Sequence, residues 1–534
     1  MPGIFLQTNF RMKKISLLLL LLSQALMLSA MPDQWQSATL PDGTLLRSEL
    51  AGSGFRHYHV APDKRRTRSA IGGDHEPYIG KKKGLILLVD FTNKQFEADH
   101  TPQLYNDMAN KVGFTSDMGF VGSIKDYFLA QSGGQFELDF DVVGPLSMPK
   151  TYGYYGANTQ GDDTNPGLMV ATACEMADEF VDFKDYDWDG DGEVDQVFVI
   201  YAGLGEAAGG DANTIWPHEW HLQYNDYGKT LTLDGVVIDT YACGPELTVK
   251  YNYSTQTVIT QGIGTICHEF SHCLGLPDVY DTAYGGGYGM QSWDVMASGG
   301  YNGDQFIPAG FTSYEMMYCG WRQPIELKND TVVRDMKPLS EGGDFYIIYN
   351  DANKNEYYLL ENRQQTKWDA ALPGTGLLVI HVDYDETAWK YNFVNNFTSY
   401  PDYNNHERYT VIAADNSRNT SDVATDPFPY KEKDSLTNNS LPRAELYNLN
   451  PDGIHYTSKP ITNIKQENGL ISFEFRNLVK NGNTDPGATG ITTYPMLPPD
   501  DRQTIYDLHG RPMGTDPNAL PKGIYIIGGK KVVK

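Results

Sequence analysis

Cysteine is scarce in this chain of 534 residues: there are five, Cys174, Cys243, Cys267, Cys273 and Cys319. The count is odd and the spacing forms no framework, so a set of disulfides does not staple the fold. The five read as small buried hydrophobes. If a staple is needed, a metal is a better candidate than sulfur. Positive charge is also short. The 42 Lys and Arg stand against 68 Asp and Glu, a formal net charge of −26. A chain this acidic has no electrostatic footprint for DNA or RNA, so no nucleic-acid partner is expected. After the first thirty residues no apolar run is long enough for a membrane span, so none is expected in the mature chain. Apolar residues themselves are not lacking: they make up 40%, against 21% charged. That is enough to bury cores and excludes a wholly disordered protein. Gly (53) and Tyr (35) are abundant, which favours turns and half-exposed strands over helical bundles.

The N-terminus carries an export pattern. Arg11, Lys13 and Lys14 precede the apolar run Ile15 to Leu22, and the small-residue stretch Leu26-Met27-Leu28-Ser29-Ala30 follows. Residues 1–30 therefore read as a signal peptide, and the protein as secreted or held at the cell surface. Residues 31–80 are polar, with Lys64-Arg65-Arg66-Thr67-Arg68 near their end and Lys81-Lys82-Lys83 just beyond. They read as a propeptide with a protease-sensitive basic linker. It holds no Cys, so a thiolate latch is excluded; a carboxylate such as Asp63 or Asp74 is the alternative. Residues 81–322 mix strands (Leu85 to Val89, Val197 to Tyr201) with helical stretches near 103–112, 123–131, 168–180 and 258–274. That composition suits a catalytic-sized domain, α/β or α+β, with α+β the fold class expected. From 323 to 478 short strands such as Tyr346 to Tyr349, Tyr357 to Leu360 and Leu377 to Ile380 alternate with turn clusters, as in an all-β sandwich. Residues 479–500 read as a linker, and 501–534 as a short β tail.

The chemistry lies in His268-Glu269-Phe270-Ser271-His272-Cys273-Leu274-Gly275-Leu276-Pro277-Asp278. Two histidines at i and i+4 share one helix face, one turn apart, and can bind a single Zn²⁺ through two nitrogens. Ile259, Ile263, Ile266, Phe270 and Leu274 recur at helical spacing and predict a core face opposite the histidines. Glu269 adjoins both ligands but is offset by about 100°. It can reach a metal-activated water without coordinating, take its proton as general base and pass it to a leaving amine. Gly275 suits the left-handed reversal after the helix. Asp278, six residues past His272, can return as third ligand; Glu315 is the alternative further along the chain.

These residues resemble the immune inhibitor A family of secreted bacterial zinc metallopeptidases, which are metzincin-like. The resemblance runs over about residues 84–383. It includes Gly84 to Phe91, Tyr127 to Gly134, Asp187 to Asp195, His268 to Asp281, Trp293-Asp294-Val295-Met296-Ala297-Ser298-Gly299 and Glu361-Asn362-Arg363. It implies a zinc-dependent endopeptidase acting on extracellular proteins or peptides. By the resemblance His268, His272 and Asp278 are the zinc ligands, Glu269 is the catalytic base and Met296 is the Met-turn residue beneath the metal. Many metzincins carry a Tyr two residues after that Met; here the position is Ser298, leaving Tyr301 and Tyr314 as candidates for assisting the oxyanion.

A second cation site is expected in Asp185-Tyr186-Asp187-Trp188-Asp189-Gly190-Asp191-Gly192-Glu193-Val194-Asp195. Alternating Asp residues can wrap a hard cation, and Gly allows the sharp turn. Neither register of the loop has Glu at position twelve, so this is no complete EF-hand. A structural Ca²⁺ held by Asp187, Asp189, Asp191 and Asp195 is the expectation. Trp216-Pro217-His218-Glu219-Trp220-His221 reads as an aromatic turn near the cleft rather than a metal site. The tail from Thr504 resembles the C-terminal sorting domains of type IX secretion in Bacteroidota, which would make that machinery a partner. A rival reading of the chain is a calcium-stabilised surface adhesin or glycan-binding protein with a vestigial peptidase fold.

Overall fold

In the computed structural model, Leu85 to Val89 are buried on both sides, as a continuous apolar run in a parallel sheet demands. The structure describes residues 78–159, 162–252, 255–282, 286–396 and 404–479. Elsewhere it describes only short backbone strands at 36–39, 45–48, 56–57, 505–507, 512–514, 524–527 and 530–533. The signal peptide, most of the propeptide and nearly all of the 479–500 linker lie outside the described residues.

The first sheet contains β1 (Gly80–Asp90), β2 (Phe136–Ser147), β3 (Val197–Leu204), β4 (His218–His221), β5 (Thr240–Asn252) and β6 (Thr255–Thr260). Its order is β4–β5–β3–β1–β2, with β6 paired to the far half of β5 and a two-residue strand, Arg56–His57, on the outer edge of β4. Strands β1, β2, β3 and β5 run parallel to one another; β4 and β6 are antiparallel to β5. Helices cover both faces. On one face, α1 (Pro102–Asn110), α2 (Ile124–Gln131) and α4 (Gly264–His272) pack through Met108, Phe128, Ile266 and Phe270 against Ile86, Leu88, Phe198 and Ile200. On the other, α3 (Pro166–Ala177) packs Met169, Val170 and Ala173 against Leu85, Leu87 and Val199. The domain is therefore mixed α/β around a largely parallel sheet.

One helix is shorter than its periodicity suggested. The stretch 258–274 does not form a single helix: Thr255–Thr260 pairs as β6, and α4 begins only at Gly264. Thr255-Gln256-Thr257-Val258-Ile259-Thr260 is β-branched and alternating, and Gly262 and Gly264 break the chain before the helix. Ile259 thus belongs to a strand, and α4 is buried on every side rather than amphipathic.

Beyond residue 322 two sheets stack. The five-stranded sheet runs β7 (Ile325–Glu326), β9 (Tyr346–Asn350), β10 (Asn353–Arg363), β11 (Gly376–Asp383), β12 (Tyr409–Val411). The three-stranded sheet runs β8 (Thr331–Met336), β14 (Leu470–Phe475), β13 (Ile461–Glu467). Ile348, Leu360 and Val379 face the small sheet through Val333, Ile464 and Phe473. The alternate residues, Ile347, Leu359, Leu378 and Ile380, join the same core as α1, α2 and α4. Period-two alternation with both faces buried explains why these strands read as unbroken apolar runs. The expected boundary at 322 is no gap in packing. The region also holds the helix α6 (Glu386–Lys390) and a 3₁₀ turn at Lys367–Ala371, so it is not purely β.

Residues 1–480 make one compact unit and 481–534 a second. In the second, four short antiparallel strands run in the order 512–514, 505–507, 524–527, 530–533. None of the five cysteines forms a disulfide; all are buried. Among the described residues no helix is long and apolar enough to cross a membrane.

Ile380 tests the shared core. Its side chain is fully buried, so Ile380→Ala should cost about 2–5 kcal/mol. Calorimetry should show residues 78–479 melting in one transition that shifts as a whole. Two transitions, with only one displaced, would contradict a continuous core.

Candidate metal centre

Helix α4 starts where backbone meets backbone. A Cβ on Gly264 would lie 1.8 Å from the carbonyl oxygen of Gly300, so only glycine lets the helix approach the loop Ser298–Gln305. One turn later His268 and His272 project side by side, ring centroids 4.9 Å apart and planes nearly perpendicular. Gly275 has φ +82 and reverses the chain. Leu276 and Asp278 thereby return beneath the histidines.

The ring nitrogens are sorted by their partners. His268 Nδ1 lies 2.7 Å from the Val295 carbonyl oxygen, and His272 Nδ1 lies 2.8 Å from that of Leu276. A carbonyl oxygen only accepts, so each Nδ1 carries the proton and each Nε2 presents a lone pair. Those two Nε2 atoms sit 3.1 and 3.6 Å from Asp278 Oδ1. Three lone-pair-bearing atoms therefore face one another inside the protein, a donor set that suits a divalent cation and in particular Zn²⁺. Glu315, the alternative ligand, sits elsewhere: its Oε2 accepts from Thr312 N in the capping box of α5 (Ser313–Tyr318).

The turn Asp294 to Gly299 lies under this set. Val295 supplies the carbonyl that holds His268, and Val279 N donates to the Met296 carbonyl at 3.0 Å, which ties the Asp278 segment to the same turn. Met296 is buried, and its N–H donates to Asp294 Oδ1 at 2.7 Å. Asp294 Oδ2 accepts from the Tyr409 hydroxyl at 3.0 Å. Burial raises the Asp294 carboxyl above its ordinary range. Burial and the neighbouring Asp294 charge raise that of Glu315 further. Below them the fully buried Arg363 binds Glu361 Oε1 at 2.9 Å and Asp369 Oδ1 at 2.7 Å. Burial pushes its guanidinium down, but the two carboxylates more than offset that and hold it charged. Arg363 also donates to the Gly310 carbonyl at 3.1 Å, and Glu361 accepts from Ser313 N. In the sequence Glu361 and Arg363 stand out only through the family resemblance, and nothing there points to the pairing of Arg363 with Asp369. A buried i, i+2 acid–base pair on a strand leaves no local signature.

A cleft of about 280 Å³ opens beside the histidines. Glu269, Tyr280, Tyr288, Gln291, Ser298 and Tyr301 line it next to His268. Glu269 is fully buried from solvent. Of the two tyrosines considered for the oxyanion, Tyr301 lines the cleft. Tyr314 is a core residue whose hydroxyl accepts from Trp389 Nε1 at 2.6 Å. Tyr288 is pinned from behind: its hydroxyl lies 3.0 Å from both Asp426 oxygens, and Trp293 Nε1 donates to Asp426 at 2.9 Å. Burial pushes the Asp426 carboxyl up to about 7; the Tyr288 and Trp293 bonds oppose the rise, and Asp415 and Asp422 add to it.

The acidic loop is built as a tight turn. Carboxylate oxygens of Asp187, Asp189 and Asp191 lie within 4.8 Å of one another. Asp187 accepts from Gly190 N and Gly192 N, and both glycines have positive φ. Asp195 is not one of the converging three; its Oδ2 accepts from Trp188 N. The Trp216 to His221 stretch is not the expected turn, because His218–His221 forms β4. His218 bonds the Trp216 carbonyl and the Tyr241 hydroxyl, each at 2.7 Å, while His221 Nδ1 lies 3.1 Å from Asp239.

Comparison with known proteins places this site in a recognised domain. Residues 79–321 match the model of the "Immune inhibitor A peptidase M6, catalytic domain". Immune inhibitor A of Bacillus thuringiensis subsp. alesti is 28% identical over 278 residues, covering 45% of this chain and 39% of that protein. Pre-pro-metalloprotease PrtV of Vibrio cholerae serotype O1 (strain M66-2) is 29% identical over 282 residues, covering 45% of this chain and 30% of that protein. The matches span well under half the length of either relative. The stretch holding His268, Glu269, His272 and Asp278 therefore lies within a match to a peptidase M6 catalytic domain, and its relatives are named immune inhibitor A and a pre-pro-metalloprotease.

Asp426 gives a pH test of the cleft's back wall. Between an ordinary 3.8 and about 7 the folded chain keeps a proton that the unfolded chain releases. The unfolded state binds fewer protons there, so this group makes stability fall as pH rises across that window. Asp426→Asn should flatten the slope of melting temperature against pH over the same range. An unchanged slope would contradict the assignment.

Proposed function

We propose that the chain is a secreted zinc-dependent endopeptidase, made as a proenzyme, that hydrolyses peptide bonds of extracellular proteins. The observation that carries this reading is the convergence of His268 Nε2, His272 Nε2 and Asp278 Oδ1, with both Nδ1 protons fixed on backbone carbonyls, at the wall of a cleft that also contains Glu269. Zinc at those atoms would supply a Lewis acid that polarises the scissile carbonyl and lowers the pKa of a bound water to about 7.

The chain's own groups do the rest. Glu269 adjoins both histidines on α4 but lies off their face, which suits it to act on water rather than to coordinate. Its carboxylate takes a proton as the water oxygen attacks the carbonyl carbon. The C–N bond then breaks, and Glu269 delivers the same proton to the departing amine nitrogen. Its full burial beside the cleft keeps that proton from bulk water. Tyr280, Tyr288 and Gln291 form walls against which a substrate chain is held, and Tyr301 at the cleft is the tyrosine positioned to assist the oxyanion.

In the same reading, Asp187, Asp189 and Asp191 hold a structural Ca²⁺ with Asp195 bracing the turn, and Met296 supports the metal site from below. The basic linker after the propeptide is the processing point. The 501–534 tail directs export through a type IX pathway. The rival reading, an adhesin or glycan-binding protein on a vestigial fold, fits poorly with an intact set of two histidines, glutamate and aspartate.

Casein hydrolysis by the secreted protein tests the proposal. A zinc-selective chelator should abolish cleavage and added Zn²⁺ restore it. Glu269→Ala should retain one zinc per chain and lose roughly 10²–10⁴-fold in turnover. Full turnover in that variant removes Glu269 from its role. Folded protein with neither zinc nor cleavage favours the binding-protein reading.

A further inference from the structure

Asp278 is gripped by a residue from outside the matched domain. Asn392 follows α6, more than a hundred positions downstream, and is fully buried. Its Oδ1 accepts from Asp278 N at 2.7 Å, and its Nδ2 donates to Asp278 Oδ2 at 2.5 Å. One carboxamide therefore holds both the backbone of Asp278 and one of its carboxylate oxygens. The other oxygen, Oδ1, is the one that faces the two histidine Nε2 atoms.

The segment carrying Asn392 is itself fixed. Thr282 Oγ1 donates to the Asn392 carbonyl at 3.3 Å. Three residues on, Asn395 Nδ2 donates to the Val279 carbonyl at 2.7 Å and to that of Tyr409 at 2.6 Å. Its Oδ1 accepts from Arg408 N and Tyr409 N, each at 3.0 Å. Two asparagines of one loop thus hold consecutive residues, Asp278 and Val279. Asn392 has φ +57, in the left-handed region that Asn tolerates better than most residues. Only an amide offers an acceptor and a donor at this reach. A carboxylate would set like charge against Asp278.

We propose that Asn392 is a positioning residue for the metal: it fixes Asp278 so that Oδ1 alone points at the histidine pair. The centre formed by α4 and the Asp278 turn is then completed by the segment 391–396, beyond the 79–321 peptidase match. Groups that hydrogen-bond a metal ligand orient it, and losing one typically weakens metal affinity by about 10–100-fold. The inference rests on the zinc reading of His268, His272 and Asp278.

Zinc affinity of the full chain tests it, measured on metal-free protein by competition with a chromophoric chelator. Asn392→Gly removes the amide while keeping a residue that accepts positive φ. Asn392→Asp is isosteric and keeps the acceptor for Asp278 N but loses the donor to Oδ2. Both variants should bind zinc roughly 10–100-fold more weakly than wild type. Their metal-free near-ultraviolet circular dichroism should match wild type, and their zinc-induced rise in melting temperature should be smaller. Wild-type affinity in both variants overturns the inference alone. Loss of the near-ultraviolet signal in both metal-free variants overturns it as well, since Asn392 would then hold the fold rather than the ligand. Wild-type protein that binds no zinc overturns the metal-centre reading, and this inference with it.

Discussion

Two backbone carbonyls, Val295 O and Leu276 O, each take the Nδ1 proton of one histidine and so turn both Nε2 lone pairs toward Asp278 Oδ1. Three electron-rich atoms packed together in a buried place repel one another unless a cation or protons lie among them. The surrounding structure supplies what that arrangement requires. Gly264 lets α4 press against the loop at Gly300, Gly275 turns the chain back, and Val279 N on Met296 O joins the returning segment to the turn that holds His268. Loosening any of these would let the three atoms drift apart and relieve the repulsion without a metal.

The support extends well below the ligands. Asp294 shapes the Met296 turn and raises, by its charge, the carboxyl of Glu315, which caps α5. Arg363, on β10, neutralises Glu361 and Asp369 and ties the Gly310 to Ser313 backbone to the five-stranded sheet. A fully buried guanidinium with two carboxylates is costly to break from one side, because the remaining charge is left uncompensated. The sheet beyond residue 322 is therefore a structural part of the site, and it shares the apolar core of the first domain through Ile347, Leu359, Leu378 and Ile380.

The sequence made the two histidines legible because helical geometry converts a four-residue spacing into a shared face without help from the rest of the chain. The buried strands at Leu85 to Val89 and Val197 to Tyr201 were equally local, being apolar runs of strand length. Where the fold depends on distant partners, legibility fell. Between Asp278 and Glu315 no spacing argument chose, since either choice depends on how the chain returns after Gly275. Residues 258–260 of the strand Thr255–Thr260 fall within the expected helix 258–274 because Ile259 fits a period of 3.6 as well as a period of two. Asp369 and Asn392 carry no motif, and Asp294, within the quoted stretch Trp293 to Gly299, meets Tyr409 from 115 positions away. The propensity of Asn for turns hides the one that grips Asp278. The boundary at 322 reflects a real change of pattern, from mixed elements to strands, but patterns along a chain do not report a core shared across it.

Zinc K-edge X-ray absorption on the zinc-loaded full chain tests the central claim most directly. The account predicts two histidine nitrogens at about 2.0–2.1 Å, with their imidazole outer-shell scattering, and oxygen as the remaining neighbours. A sulfur shell at about 2.3 Å would contradict it, because Cys267 and Cys273 flank the histidines and would then be the ligands. A shell of oxygen alone would contradict it equally, by placing the ion among the aspartates rather than at His268 and His272.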